Sequence, residues 1–256
     1  MSEKAYKHSI EKGIELLKRT IQEKNAKKKI SLGTKSTEQL KKAISIAPQI
    51  RISKKIPFIF EYLQQIQATL GASYLELKKI PEAIRVFQEA LESNSKTPQN
   101  TKQQEIHSFI LAELAKLYSN IQKIDMAERY ASQSLQLGIN KNFNQEDLLD
   151  LYIELNPIFI QSGNLKRITK NYHIMVKLAK RDKRKHLKAQ VYFTYGKFLH
   201  GIEKDDIESL KYLNKAQSLF ESLKIIQGMT EVKKFIEENL QKDNKETSES
   251  ADINRT

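Results

Sequence analysis

The sequence has 256 residues, of which 39% are apolar and 29% charged, and its formal net charge is +13. It contains no cysteine, which excludes disulfide bonds, thiol catalysis and zinc fingers. No apolar run approaches the roughly 20 residues that a membrane-spanning helix needs. The first residues lack the apolar core of a secretory signal, so we expect a cytoplasmic location. Glycine and proline are scarce, which permits long helices throughout.

The positive charge is concentrated in two segments. Residues 1–56 and residues 161–200 each carry a net charge of +10, whereas residues 57–160 are net acidic. Lysine supplies 36 of the 44 basic residues. The abundance of lysine, isoleucine and asparagine is also what mutational bias in an AT-rich genome produces. Charge alone therefore does not distinguish a functional surface from compositional bias.

Residues 1–56 predict a basic helical segment that contains one degenerate helical repeat. A helix is expected roughly from Lys4 to Lys24. Leu40, Ala43 and Pro48 match the end of the second helix of a repeat.

The intervening residues Lys24 to Thr37 are charged and contain glycine, which predicts a linker. Gly33 to Thr37 reads Gly-Thr-Lys-Ser-Thr, similar to the end of a phosphate-binding loop. The loop needs a glycine directly before the lysine, another five residues earlier and a preceding strand. None is present, so a plain linker is favoured.

Residues 57–222 predict about four helix pairs, the clearest of which lies between residues 64 and 93. One helix carries Leu70, Gly71 and Tyr74, and the next carries Ala83, Phe87 and Ala90. Pro81 is well placed to begin the second helix, because proline is favoured at the first helical position. This spacing of small and aromatic residues is typical of a tetratricopeptide repeat (TPR), a 34-residue helix–turn–helix unit. One such unit cannot bury its own apolar face, so neighbouring units are expected.

Three further copies follow, starting near residues 108, 149 and 189. The starts are 40 to 44 residues apart rather than 34, which inserted loops or a divergent α-solenoid repeat would both explain. Gly163 is expected to make a turn, Pro157 to kink or interrupt its helix, and one extra residue to lie in the turn near Lys204. Close helix approaches are expected at small residues, namely Gly71, Ala83, Ala90, Ala115, Ala127, Gly196 and Ala216.

Together these copies resemble a divergent member of the TPR family over about residues 64–220. The resemblance implies an all-α fold, a right-handed superhelical solenoid of antiparallel helix pairs that holds other molecules. Residues 223–242 predict a C-terminal capping helix, which solenoids need because the last repeat has no neighbour. Residues 243–256 are polar and predict a disordered tail.

The resemblance also implies which residues face the concave groove. They are Gln65, Ala68, Ala72, Leu75, Phe109, Ala112, Glu113, Lys116, Ser119, Asn120, Asp150, Ile153, Glu154, Ile160, Gln190, Phe193, Lys197 and His200. Co-chaperone members grip a carboxylate with Lys, Asn and Arg at five of these positions, where this chain has Ala68, Ala72, Glu113, Asp150 and Glu154. We therefore predict a partner with apolar anchors and a basic residue. Alternatively, Glu113 and Glu154 are ordinary solvated residues.

A second predicted surface is basic and spans residues 166–188. It comprises Lys166, Arg167, Lys170, Lys177, Lys180, Arg181, Lys183, Arg184, Lys185, His186 and Lys188. These residues would meet phosphates or an acidic protein, or they form a solvated face that reflects lysine bias. No helix-turn-helix, RNA-binding sheet or zinc module accompanies them.

Candidate catalytic groups are sparse. The five histidines are too scattered for a metal pair, and no nucleophile–base pairing can be argued, so we predict no cofactor, no metal and no enzymatic activity. The expected function is a protein-binding scaffold or adaptor, alone or within a larger cytoplasmic or membrane-associated assembly. The alternatives are a peptide-sensing regulator and a nucleic-acid binder using residues 166–188. The partner's identity and the oligomeric state stay open.

Overall fold

The computed structural model describes residues 3–94 and 100–240, and within these residues it contains helices and no strand. The α-helices are α1 (Glu3–Gln22), α2 (Ala26–Ile46), α3 (Ile56–Glu76), α4 (Ile80–Asn94), α5 (Thr101–Asn120), α6 (Ile124–Asn140), α7 (Gln145–Ser162), α8 (Leu165–Arg181), α9 (Lys185–Phe198), α10 (Asp206–Ser222) and α11 (Ile226–Asn239). Short turns join the two helices of each pair, which makes the paired helices antiparallel. The predicted all-α fold of antiparallel helix pairs is confirmed. The chain divides into two compact units, one ending at Phe143 and the other starting at Asn144.

The first unit contains three helix pairs, α1/α2, α3/α4 and α5/α6. In each pair, the two helices approach each other most closely at a small residue. Ser36 Oγ donates to the Gly13 carbonyl oxygen at 2.7 Å, and Ser134 Oγ donates to that of Ser108 at 2.9 Å. In α3/α4 the close approach is at Gly71, where an added methyl group would lie 2.5 Å from the Phe87 ring. Small residues thus let the paired backbones come close together.

The first two helices pack directly on the third. Tyr6, Leu40, Ile59 and Leu63 belong to one buried apolar cluster that α1, α2 and α3 share. Gly33 of α2 lies so near α3 that an added methyl group would be 2.6 Å from Leu70 Cδ2. Residues 1–56 therefore continue the core of the helices that follow them.

The predicted linker over residues 24–37 is wrong. Helix α2 begins at Ala26, and the Asn25 side chain caps it by accepting a hydrogen bond from the Lys28 amide at 3.1 Å. Gly33, Ser36, Leu40 and Ala43 form its buried face. Three of these four residues are small, and only Leu40 is a large apolar residue, so the helical period was hard to recognise among the lysines.

The second unit contains the pairs α7/α8 and α9/α10, followed by α11. Ser209 Oγ donates to the Gly196 carbonyl oxygen at 2.8 Å, which repeats the small-residue contact of the first unit. The rings of Tyr172 on α8 and Phe198 on α9 have centroids 4.8 Å apart. Buried aromatic contacts therefore connect the two pairs.

Two sequence expectations about this unit need correction. Helix α7 continues through Pro157, so the expected interruption is wrong, although Pro157 has no N–H to donate to the Ile153 carbonyl. The expected kink stays a prediction. The expected extra residue does not lengthen the turn at Lys204. It lies in a π-helical turn over Leu199–Glu203, where one additional residue widens the end of the preceding helix.

The turns within four of the five helix pairs, all except α1/α2, share one backbone conformation. Lys78, Gln122, Gly163 and Lys204 all adopt left-handed conformations, with φ between 56° and 70°. After α3, the Lys78 amide donates to Leu75 O at 2.8 Å and the Lys79 amide donates to Tyr74 O at 2.9 Å. This is the Schellman pattern that ends helices, usually with glycine at the left-handed position. The predicted turn at Gly163 is confirmed.

Replacing Lys78 with glycine is expected to stabilise the chain by about 0.5–1 kcal/mol, because a lysine in the left-handed region carries a steric cost that glycine avoids. Urea unfolding midpoints measure the effect. The reciprocal variant Gly163→Lys should lower stability through backbone strain alone, since no atom lies within 4 Å of an added Cβ there. An unchanged midpoint for both variants would contradict this account of the turns.

The predicted domain boundaries near residues 56, 222 and 242 stay predictions. The predicted tail over residues 243–256 lies outside the described residues. Among the described residues, no helix is both long and apolar enough to cross a membrane.

Candidate interaction groove

The first unit contains an open pocket between α3 and α5, the first helices of two consecutive pairs. Its volume is about 500 Å³, and its lining residues are Gln65, Ala68, Thr69, Ala72, Lys102, Glu105, Ile106 and Phe109. Four of these residues, Gln65, Ala68, Ala72 and Phe109, are among the predicted groove residues. The two alanines leave the space unfilled because their side chains end at Cβ. We call this space the α3–α5 pocket.

Phe109 is the main apolar group of the α3–α5 pocket. Its side chain is 43% exposed, and its ring packs edge-on against Phe87, with centroids 6.2 Å apart. Phe87 is fully buried and lies against Gly71. A rigid aromatic contact therefore holds the Phe109 ring in place while one side of it stays open to solvent.

The other predicted groove residues of this unit lie around the pocket or below the surface. Ala112 is buried, Leu75 is half-buried, and Asn120 is exposed at the end of α5. Glu113 does not present a free carboxylate, because Lys116 Nζ lies 2.5 Å from its Oε1. The predicted attraction of Glu113 for a basic ligand is thus shared with the chain's own lysine.

The predicted acidic residues of the second unit show a similar arrangement. Asp150 Oδ2 lies 2.7 Å from Arg184 Nη1, whereas Glu154 is exposed on the same helix. Arg184 Nε and Nη2 also donate to the buried Asp182 carboxylate, and Nη2 donates to the Glu146 carbonyl at 3.0 Å. These hydrogen bonds hold the pKa of Asp182 below its usual value. Ile153, the apolar member of this group, is half-buried.

Phe193, which is half-buried, and Lys197, which is exposed, both contact α11. The Phe193 ring lies edge-on to Phe235 of α11 at a centroid distance of 6.5 Å. Lys197 Nζ lies 5.4 Å from the centroid of one ring and 5.5 Å from that of the other. His200 also contacts the Phe235 ring, and its Nδ1 lies 2.6 Å from Asp206 Oδ1. This part of the predicted groove is therefore filled from within the chain.

Some residues of the predicted basic surface contact other side chains of the chain or line a pocket, whereas the others are exposed to solvent. Arg184 is ion-paired as described above, and the Arg167 guanidinium lies over the Phe159 ring at 5.3 Å. Lys188 lines an open pocket of about 400 Å³ with Tyr192, Asn214 and Lys215. The exposed members are Lys166, Lys170, Lys177, Lys180, Arg181, Lys183, Lys185 and His186.

Four lining residues of the α3–α5 pocket were missed from the sequence. Lys102, Glu105 and Ile106 precede Phe109 by seven, four and three residues, so they share its face of α5. The repeat start predicted near residue 108 was too late to include them, since α5 begins at Thr101. Thr69 follows Gln65 by one turn, and its Oγ1 donates to the Gln65 carbonyl at 2.9 Å. Extending the helical period towards the N-terminus would have found the α5 residues.

Within residues 3–94 and 100–240, no group of three or more His, Asp or Glu side chains could hold a metal ion. No family model matches the chain, and no curated protein matches its sequence.

Solved structures do resemble the chain. BtubC (BKLC) from P. vanneervenii is similar with a TM-score of 0.60 and 14% identity, covering 91% of this chain and 94% of that one. Nearly identical TPR-like repeats of a putative kinesin light chain from P. anserina are similar with a TM-score of 0.55 and 13% identity, covering 88% and 99%. Identities this low show the fold alone. By its fold, the chain is a divergent TPR-like helical-repeat protein.

Proposed function

We propose that this chain is a non-enzymatic scaffold that binds a segment of a partner protein in the α3–α5 pocket. The observation that carries the proposal is the Phe109 ring, which stays 43% exposed beside Ala68 and Ala72 instead of being buried. Exposed aromatic rings at a concave surface are enriched at protein interfaces. The solved TPR-like repeats with which the chain shares its fold include those of a putative kinesin light chain, and extended concave surfaces are what helical solenoids use for binding.

The pocket suits one apolar side chain of a partner. Its volume of about 500 Å³ lies within the range of ligand sites, and its centre is lined by two alanines, Ile106 and Phe109. Lys102 and Glu105 stand on the α5 side, so a basic residue next to the apolar anchor would meet the Glu105 carboxylate. The expected ligand is therefore a peptide segment with an apolar anchor and a neighbouring Lys or Arg.

The test compares wild type with Phe109→Glu in pull-downs from nuclease-treated lysate of the native organism, read by mass spectrometry. A carboxylate in the pocket would lose its hydration when an apolar anchor binds against it, so we expect at least a tenfold loss of the specific partner, equivalent to about 1.4 kcal/mol. Ile139→Glu is the matched control, because Ile139 is an isoleucine of equal exposure, 43%, on α6 of the same unit.

A second variant distinguishes the effect of filling the pocket from the effect of adding a charge. Ala72→Phe should fill the pocket without adding charge and should lose the same partner. Circular dichroism must show that both variants keep the helical content of wild type. Equal retention of every protein by wild type, Phe109→Glu and Ala72→Phe would overturn the proposal.

A further inference from the structure

Helix α8 carries a continuous row of cations along its solvent face. Lys166, Lys170, Lys177, Lys180 and Arg181 are all exposed, and the exposed His173 lies in the same row. Their spacing of three and four residues keeps them on one face of the helix. At 1.5 Å per residue, the row is about 21 Å long. We call these five cations the α8 stripe.

The α8 stripe differs from several basic residues of other helices. Lys7, Lys211 and Lys233 each pair with a carboxylate three or four residues away, at 2.9, 3.0 and 3.8 Å. Helix α8 has no acidic residue in its 17 positions. Within the part of the chain that the structure describes, no carboxylate lies within 4.0 Å of a stripe cation. Lysine bias adds lysines but does not remove acidic residues, so it does not by itself account for a 17-residue helix that has none.

The stripe costs the helix stability. Like charges at a spacing of four residues destabilise a helix. Lys166 and Arg167 also oppose the helix dipole, because they lie in the first turn where acidic residues are favoured. A polyanion bound along the stripe would remove this repulsion.

The free energies of the possible contacts favour a nucleic acid over an acidic protein as the ligand of the α8 stripe. An exposed ion pair with a protein carboxylate contributes little free energy, so five such pairs at most reach the low end of the cost of association. Nucleic-acid phosphates release condensed counterions when cations neutralise them, which adds a favourable term for each contact. The stripe offers no aromatic ring for base stacking, and the His173 ring packs against Tyr195. Single-stranded binders use such rings, which favours a duplex here.

We infer that the α8 stripe binds the phosphate backbone of a nucleic-acid duplex without sequence preference. The surface lies in the second unit, whereas the proposed scaffold function uses the α3–α5 pocket of the first. Glu203, which accepts a hydrogen bond from Thr169 at 3.3 Å, lies at the side of α8 and limits contact there.

The experiment measures fluorescence anisotropy of a labelled 24-base-pair DNA duplex with the full chain between 50 and 200 mM NaCl. Five phosphate contacts give a salt slope of about −4.5, which is a loss of about 500-fold in affinity over this range. The variant Lys166→Gln/Lys170→Gln/Lys177→Gln/Lys180→Gln keeps one stripe cation, so its slope should fall to about −0.9. Thermal unfolding should show the variant to be at least as stable as wild type.

The matched control is Lys4→Gln/Lys12→Gln/Lys18→Gln/Lys24→Gln, which removes the same charge from exposed lysines of the first unit. It should keep the slope of wild type. Equal slopes for the two quadruple variants would overturn the inference, as would wild-type binding that salt does not weaken. Tighter binding of a helical peptide with glutamates four residues apart, or of a single strand, would also overturn it in favour of that ligand.

Discussion

Gly71→Leu is expected to destabilise the first unit by about 3 kcal/mol, the upper end of the usual cost of overpacking a core. The first added carbon alone would lie 2.5 Å from the Phe87 ring, closer than real Cβ contacts occur. The ring cannot yield easily, because Phe87 is fully buried and also contacts Phe109. Leucine would therefore push α3 and α4 apart and remove the support of the α3–α5 pocket.

Chemical denaturation followed by circular dichroism measures this effect. Gly201→Leu is the matched control, since no atom lies within 4 Å of an added Cβ at Gly201. The control should stay within about 1 kcal/mol of wild type. Wild-type stability in Gly71→Leu would mean that the α3/α4 contact is packed differently from the structure described here.

Arg184→Gln is expected to destabilise the second unit by about 2–3 kcal/mol. The Asp182 side chain is 2% exposed, and Arg184 is the cation that pairs with it, at 2.7 Å. Removing a partner from a buried charge costs more than the pair contributes, because the remaining carboxylate loses its paired cation and keeps only the hydrogen bond from the backbone amide of residue 184 at 2.7 Å. The exposed neighbour Arg181→Gln removes the same charge and should change stability by less than about 0.5 kcal/mol.

The loss in Arg184→Gln should depend on pH. Hydrogen bonds from Arg184 lower the pKa of Asp182 in the folded chain. A lowered carboxyl pKa adds stability above the unfolded value, about pH 4, and that stability is lost as the pH falls through the folded value. The difference between wild type and variant should thus be constant near pH 7 and shrink below about pH 4. A difference that grows in acid would contradict this assignment.

The sequence was informative wherever contacts are local and aromatic or small residues mark them. Leu70, Gly71 and Phe87 identified the α3/α4 pair because their spacing is peculiar to close helix packing. Gly163 identified a turn because few other residues adopt its backbone conformation without cost. The same logic failed for α2, where Gly33 and Ser36 are buried but are not apolar enough to reveal a helical period.

The site was harder to predict than the fold, because pairing partners come from distant parts of the sequence. Nothing near Asp150 indicates that Arg184 will neutralise it, since 34 residues separate them. The Phe235 ring, which lies on another helix, likewise contacts the Phe193 ring and the Lys197 ammonium group. Some residues of the α3–α5 pocket could be predicted, because the period of a single helix shows which of its residues share a face. The open space itself could not, because it depends on how two helices pack against each other.

The π-helical turn at Leu199–Glu203 shows how the chain tolerates changes in length. An α-helix rotates by about 100° per residue, so one inserted residue would turn every later side chain to a different face. Here the wide turn absorbs the insertion locally. Leu199 remains buried, and Ser209 still bonds to Gly196 across the pair. Insertions at helix ends can therefore accumulate in such a chain without shifting the phase of the contacts that hold its helix pairs together.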